Sequence, residues 1–460
     1  MSAPPGFRAE FRATLRVALP LALGNLAMMA MGFTDAVMVG RLGAQALAAA
    51  GLGAAVYFTI GVAVQGVVTA VAPLAAHAIG SGDRAAAGRI AGAGLLLAGL
   101  LSLPFAAVVL AVDRLLLVFG YDAALAADIG RFLGAAAWGA PAFIAVGTTR
   151  SLLIALGHQR VVMLSLFAAI ASNAGLNWVL IYGNLGMPAL GIVGSGYATS
   201  INIWLSLMVH VLAIRCLPSL QGLAPWRAAW LLPRREIGRL LRLGLPIAGM
   251  MLLESGLFLA GGLLSGLLGA AALGAHQIAL NCASITFMVP LGFAQAATVR
   301  VAHELGAGRP ATARLAGFMA LGLGAGFMLL AAVLLWTFPR AIIGVYIDID
   351  AEANRELVQT ALRLFVVAAL FQVVDGMQVI AAGALRGFRD TAVPMLLAGV
   401  GYWGIGFAGG WILGFPLGLG VYGLWCGLGM GVGVVAVLLS VRLHLRSAAP
   451  PLTPAAAGHT

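Results

Sequence analysis

Ala76-His77-Ala78-Ile79-Gly80-Ser81-Gly82 returns 226 residues later as Ala302-His303-Glu304-Leu305-Gly306-Ala307-Gly308, in register and without a gap. The same offset places Leu15-Arg16 and Leu19-Pro20 on Leu241-Arg242 and Leu245-Pro246. It also places Gly40, Leu42, Gly43 and Ala44 on Gly266, Leu268, Gly269 and Ala270. Later stretches correspond less cleanly. Leu185-Gly186-Met187-Pro188 resembles Leu413-Gly414-Phe415-Pro416, and Gly157 resembles Gly387. The chain is two copies of one unit. Its buried acids break the repeat, because Asp35 falls on Gly261 and Glu254 falls back on Met28.

The composition decides what kind of unit is repeated. The chain is 62% hydrophobic and 9% charged, with a mean hydropathy of +1.03. Apolar runs of about 20 residues, the length that crosses a bilayer, follow one another almost without pause. They predict an all-α integral membrane protein with twelve spans. Six lie near 13–38, 47–72, 90–111, 124–146, 160–182 and 191–214. Six more lie near 244–266, 277–300, 314–337, 358–382, 392–413 and 420–442. Six spans per copy is an even number, so the copies are parallel repeats related by a pseudo-twofold axis along the membrane normal. The expected organisation is a first lobe at 1–214, a cytoplasmic linker at 215–241, a second lobe at 242–446 and a disordered tail at 447–460. No cleavable signal is visible, and the first span is expected to direct insertion. A membrane protein built from two such repeats has the signature of a secondary transporter, with its site between the repeats.

A net charge of +11 could point to nucleic acid, but its distribution points to a membrane. With the N-terminus in the cytoplasm, 20 of the 26 arginines fall on the inside, loop after loop. This positive-inside bias predicts both termini in the cytoplasm and contact with anionic lipid headgroups, not a polyanionic partner. Lysine is absent, which excludes a phosphate-binding loop of the Gly-rich Lys-Ser/Thr type and a Schiff base. Gly418-Leu419-Gly420-Val421-Tyr422-Gly423 joins two spans and reads as a loop. Cys216, Cys282 and Cys426 are too scattered for a metal site or a disulfide framework. Neither a cofactor nor a structural metal is expected.

Of the 15 acids, 12 fall in loops or at helix ends. Asp35, Glu254 and Asp375 fall inside spans, where an Asp near mid-membrane costs about 2.5–3.5 kcal/mol. No arginine falls deep in any predicted span, so a salt bridge that merely holds helices together lacks its partner. Protonation, a bound cation or hydrogen bonds to amides remain. Asn25, Met28, Gly32 and Asp35 share one face of the first helix. Asn173 and Asn177 form a polar pair on the fifth span, suited either to joining helices or to function. Gln372, Asp375 and Gln378 line one side of the tenth span, and Gln277 and Asn281 pair on the eighth. Carboxylate with amide oxygens suits Na⁺, and carboxylate alone suffices for H⁺. Met28 beside Asp35 and Met250 beside Glu254 would suit a surface accepting many shapes, although most of the 16 methionines read as apolar filler. His77 and His303 match across the repeats and read as packing or capping groups.

These residues carry a specific resemblance. The chain is similar to multidrug and toxic compound extrusion transporters, most of all to their NorM-type branch. The matching stretches include Leu19-Pro20, Asp35 through Gly40, Ala76 through Gly82 and Leu180-Ile181-Tyr182-Gly183. In the second half they include His276 through Asn281, Glu304 through Gly308 and Arg386 through Thr391. The resemblance implies two six-helix lobes around a V-shaped cavity, and export of cationic amphiphilic compounds in exchange for Na⁺ or H⁺. It implies an acid with amide partners at Asp35, Asn173 and Asn177, and second-lobe acids at Glu254 and Asp375. Some relatives carry Tyr four residues before the tenth-span Asp, where this chain has Phe371. The expectation is a monomeric, non-enzymatic transporter of a bacterial inner membrane. A lipid-linked precursor flippase is the nearest alternative, but it would line its cavity with basic groups. An intramembrane enzyme would need a nucleophile–base pair, and none is apparent.

Overall fold

The computed structural model describes residues 6–448, so most of the tail at 447–460 lies outside the described residues. All regular structure among the described residues is helical. Eleven helices are each long and apolar enough to cross a bilayer, and a bent pair supplies a twelfth span. The first half holds Phe7–Gly40, Ala44–Gly80, Arg84–Val118, the bent pair, Gln159–Tyr182 and Ile192–Cys216. The second holds Arg234–Leu267, Ala270–Gly306, Pro310–Thr337, Arg355–Gly387, Ala392–Gly414 and Gly420–Ala448. Each apolar run predicted from the sequence lies within one of these spans, to within a residue at its ends. Many helices outrun their apolar runs, because their ends continue into polar residues that still favour helix.

The bent pair is Ala123–Ala137 followed by Ala140–Ala155, at 52°. Pro141 stands at the start of the second segment and cannot donate to the turn before it. Carbonyls beside the bend are met from the sixth span. Ser200 Oγ donates to the oxygens of Ala135 (2.7 Å) and Ala136 (3.0 Å). A non-helical joint at membrane depth is tolerated when it is buried and satisfied in this way.

The stretch read as a linker, 215–241, includes the end of one span and the start of the next. The sixth span runs to Cys216 and the seventh begins at Arg234. Between them, the short helices Pro218–Leu220 and Pro225–Trp230 and the turn that joins them bury Leu220, Leu223 and Ala228. Gly88 and Gly92 of the third span leave room for Leu223 and Ala228, so the connection is seated on the first half.

The repeat is visible in space. Gly43 (φ 115°) and Gly269 (φ 106°), 226 residues apart, make the same left-handed turn between the first two spans of each half. The match of Gly157 with Gly387 shifts. The left-handed position after the fourth span is Gly157 (φ 80°), and after the tenth it is Arg389 (φ 60°). Both ends close with the same backbone bonds, His158 N to Leu153 O (2.8 Å) and Asp390 N to Leu385 O (2.9 Å). Glycine adopts this conformation freely, whereas a residue with a Cβ is disfavoured by about 1–2 kcal/mol.

Among the described residues, close contacts between the halves lie toward the face that carries both ends of the described chain, here the terminal face. Gly66 packs on Ala248, and its counterpart Gly292 packs on Ala22. A Cβ at Gly66 would lie 2.8 Å from that of Ala248, and one at Gly292 would lie 2.9 Å from that of Ala22. Nearer the terminal face, Gly80 abuts the carbonyl of His303, and Gly306 abuts the carbonyl of His77. A buried ion pair joins Glu10 of the first span to Arg300 of the eighth.

Candidate functional site

The interface face of the eighth span shows where the halves part. Asn281, Met288 and Gly292 lie along one side of that helix, given about 100° per residue. Gly292 packs on Ala22, and the Met288 carbonyl accepts from Asn25 Nδ2 at 3.3 Å. Farther from the terminal face, Asn281 and Gln277 on the same side are exposed. On the facing first span, Phe33 is 74% exposed where it continues the line of Ala22 and Met29. A cleft therefore opens between the halves on the far face. Gln277 and Asn281 lie on its wall, joined by a bond from Asn281 Nδ2 to the Gln277 carbonyl (2.9 Å).

Asp35 turns away from the eighth span and into its own half. Asn177 Nδ2 donates to Asp35 Oδ1 at 2.5 Å and to Asn173 Oδ1 at 3.3 Å. Both asparagines are buried, and Asn177 Oδ1 and Asn173 Nδ2 have no partner among the described residues. The expected trio of Asp35, Asn173 and Asn177 is brought together. Asn25 is not part of it. Ten residues back, about 15 Å along the helix, Asn25 spans the contact between the halves. Met28 is exposed two turns from Asp35 on the same helix.

In the second half, Gln372, Asp375 and Gln378 are all buried on the tenth span. Thr286 Oγ1 donates to Gln372 Oε1 at 2.9 Å, and Gln378 Nε2 donates to the Tyr402 hydroxyl. Asp375 Oδ1, Gln378 Oε1 and Gln372 Nε2 are buried without a partner among the described residues. Glu254 of the seventh span lies within Coulombic reach of Asp375, Arg386 and Tyr402. Asp375 is buried and Glu254 half-buried, so charge on this pair calls for compensation, and the unpartnered oxygens are hard donors suited to a small cation or proton. Met250 is 3% exposed and packs in this core beside Arg386, not on the cleft.

Two expectations change here. Arginines do reach the interior. Arg150, in the second segment of the bent span, donates to Asn25 Oδ1 (2.9 Å) and Gln295 Oε1 (3.5 Å) and so links the halves. Arg386 ends the tenth span near Glu254, although no ion pair within 4.0 Å forms between them. The other change concerns Phe371, whose ring packs edge-on against Phe258 (6.0 Å) and Trp425 (5.3 Å). A different hydroxyl, that of buried Tyr402 on the eleventh span, accepts from Gln378 beside Asp375 and lies within Coulombic range of both second-half acids, without a hydrogen bond to either. A tyrosine inside a glycine-rich apolar run was the available sign. It sits in a π-helical stretch, Val400–Phe407, of the kind often found at functional sites.

The MatE family model matches twice, at residues 20–179 and 246–412. The chain is 45% identical to a probable multidrug resistance protein NorM of Burkholderia mallei, over 97% of this chain and 95% of that protein. It is 38% identical to the probable NorM of Pseudomonas aeruginosa, over 95% and 90%. Among solved structures, the eukaryotic MATE transporter AtDTX14 superposes with a TM-score of 0.86 at 23% identity, over 96% and 97% of the two chains. An outward-facing multidrug resistance MATE transporter superposes with a TM-score of 0.85 at 19% identity, over 97% and 99%.

Proposed function

This chain belongs to the MatE family, and from that premise we propose that it is a multidrug efflux antiporter of a bacterial inner membrane. It exports amphiphilic cations in exchange for Na⁺ or H⁺ by alternating access. The observation that carries the reading is that each half holds its own deep acids, in a molecule whose halves are joined toward one face. Asp35 with its amides serves the first half, and Glu254 with Asp375 serves the second. Deep carboxylates favour cationic cargo and disfavour the pyrophosphate of a lipid-linked precursor. Cargo and coupling ion, both positive, would compete for this charge, which gives exchange without ATP. The arginine bias supports a cytoplasmic terminal face, so the cleft would open outward. The reading requires one copy of the chain and no cofactor.

The test is efflux of a cationic dye from proteoliposomes, first under a Na⁺ gradient alone and then under a pH gradient alone. Acceleration by either gradient is expected, and the active one identifies the ion. Efflux indifferent to both would overturn exchange.

A further inference from the structure

A cavity of about 580 Å³ lies on the terminal face, where the two halves meet, far from the cleft. Arg239 and Arg242 of the seventh span and Arg389 after the tenth line it from the second half. His77 and Asp83 line it from the first. Its acids are already engaged. Asp390 accepts from Arg442 Nε at 2.7 Å, while Asp83 caps the third span through Ala86 N at 2.8 Å and lies 3.7 Å from Arg89. Among the described residues, no carboxylate pairs with Arg239, Arg242 or Arg389.

Three like charges line this one cavity, all on exposed residues. Partial burial first, and the charge of Arg239 next, push the Arg389 guanidinium down from its ordinary value. Arg389 also lies within Coulombic reach of His77. A second and independent observation concerns the backbone. Arg389 holds the left-handed conformation that Gly157 takes at the matching turn of the first half. A side chain is therefore kept at a position where its absence would relax the main chain, and that residue lines the cavity.

We propose that this cavity is an anion site that binds a phosphate group between the halves, with Arg239, Arg242 and Arg389 as its ligands. Guanidinium donors match phosphate oxygens in geometry and charge, and three of them outnumber any acid still able to compete. A phosphate can arrive on an anionic phospholipid or as a free phosphate compound. The site is independent of what the cleft carries, so its failure leaves the transport reading intact.

The decisive variant is Arg389→Gly, which removes a ligand and at the same time relaxes its turn, so the fold is retained. Thermal unfolding of the purified protein is followed in detergent against inorganic phosphate and pyrophosphate, at constant ionic strength. It is then followed in nanodiscs of phosphatidylcholine, with and without phosphatidylglycerol. A saturable rise in the unfolding midpoint is expected for the wild type. Its half-saturating concentration should rise about tenfold or more in Arg389→Gly and in Arg239→Gln/Arg242→Gln. A rise with pyrophosphate in phosphatidylcholine discs assigns a free phosphate compound. A rise with phosphatidylglycerol alone assigns the lipid headgroup. Absence of a saturable response to every probe overturns the site, as does a response that is the same in Arg389→Gly and wild type.

Discussion

Replacing Glu254 by Gln keeps the shape and hydrogen-bonding capacity of the side chain and removes only its charge. If the second-half acids serve transport, cells lacking other pumps should lose their resistance to cationic dyes in Glu254→Gln. The drop should be about tenfold or more, the scale of a single lost charged contact. Unchanged resistance at equal expression would sink the role of this acid. Asp375→Asn should weaken binding of the coupling ion and make cargo binding less sensitive to it. The first half provides the control, because Asp35 is held by Asn177 and Asn173 in a separate cluster. If Asp375→Asn keeps wild-type ion dependence while Asp35→Asn abolishes it, coupling belongs to the first half. Tyr402→Phe tests the hydroxyl that meets Gln378. Leaving that amide unpaired should cost about 1–3 kcal/mol and weaken ion binding accordingly. Ion titrations of the purified variants would check both, and wild-type affinity in Tyr402→Phe would remove that hydroxyl from the site.

Helix by helix, the spans were legible because each contains an apolar run, and the bilayer fixes how long such a run must be. The bend in the fourth span was less legible. Pro141 marks it, but Ser200 and Trp204 of another span, which donate to carbonyls at the break, make it tolerable inside the membrane. Arg150 was hidden for a related reason. It follows the apolar run at 124–146 and so resembles a loop arginine, and its partners Asn25 and Gln295 are far away in sequence. Tyr402 escaped because hydropathy treats a tyrosine among glycines as one more apolar residue. The amide partners of Asp35 were readable, since a helical face predicts which residues point together. What a helical face cannot tell is depth, which is why Asn25 was grouped with Asp35. The Arg150 linkage can be tested directly. Arg150→Gln should shorten the reach between the halves and cost about 1.5–3 kcal/mol of the charged hydrogen bonds. Spin-label distances across the terminal face should then broaden or lengthen. A distribution identical to wild type would make Arg150 a spectator.

The whole molecule is a wedge, joined at one face and parted at the other, and its orientation decides what the wedge does. An impermeant thiol reagent should label Asp350→Cys, in the exposed loop between the ninth and tenth spans, from outside intact cells. Gln221→Cys, in the connection between the halves, should be protected. The reverse pattern would turn the molecule over and make the cleft open inward. At the joined face, the crossing of Gly80 with His303 and of Gly306 with His77 brings backbone against backbone. Gly306→Val should overpack it by about 1–3 kcal/mol and disfavour the joined arrangement, which the same spin-label distances would report. The crossing also bears on ancestry. If the halves descend from one duplicated unit, each has since been free to gain or lose acids, as Asp35 and Glu254 record. Their crossing allows no such freedom. The glycine of each copy is dictated by the main chain of the other, so a change on one side meets an obstacle that only its twin could remove. Two sequences that drift apart everywhere else remain tethered at this point.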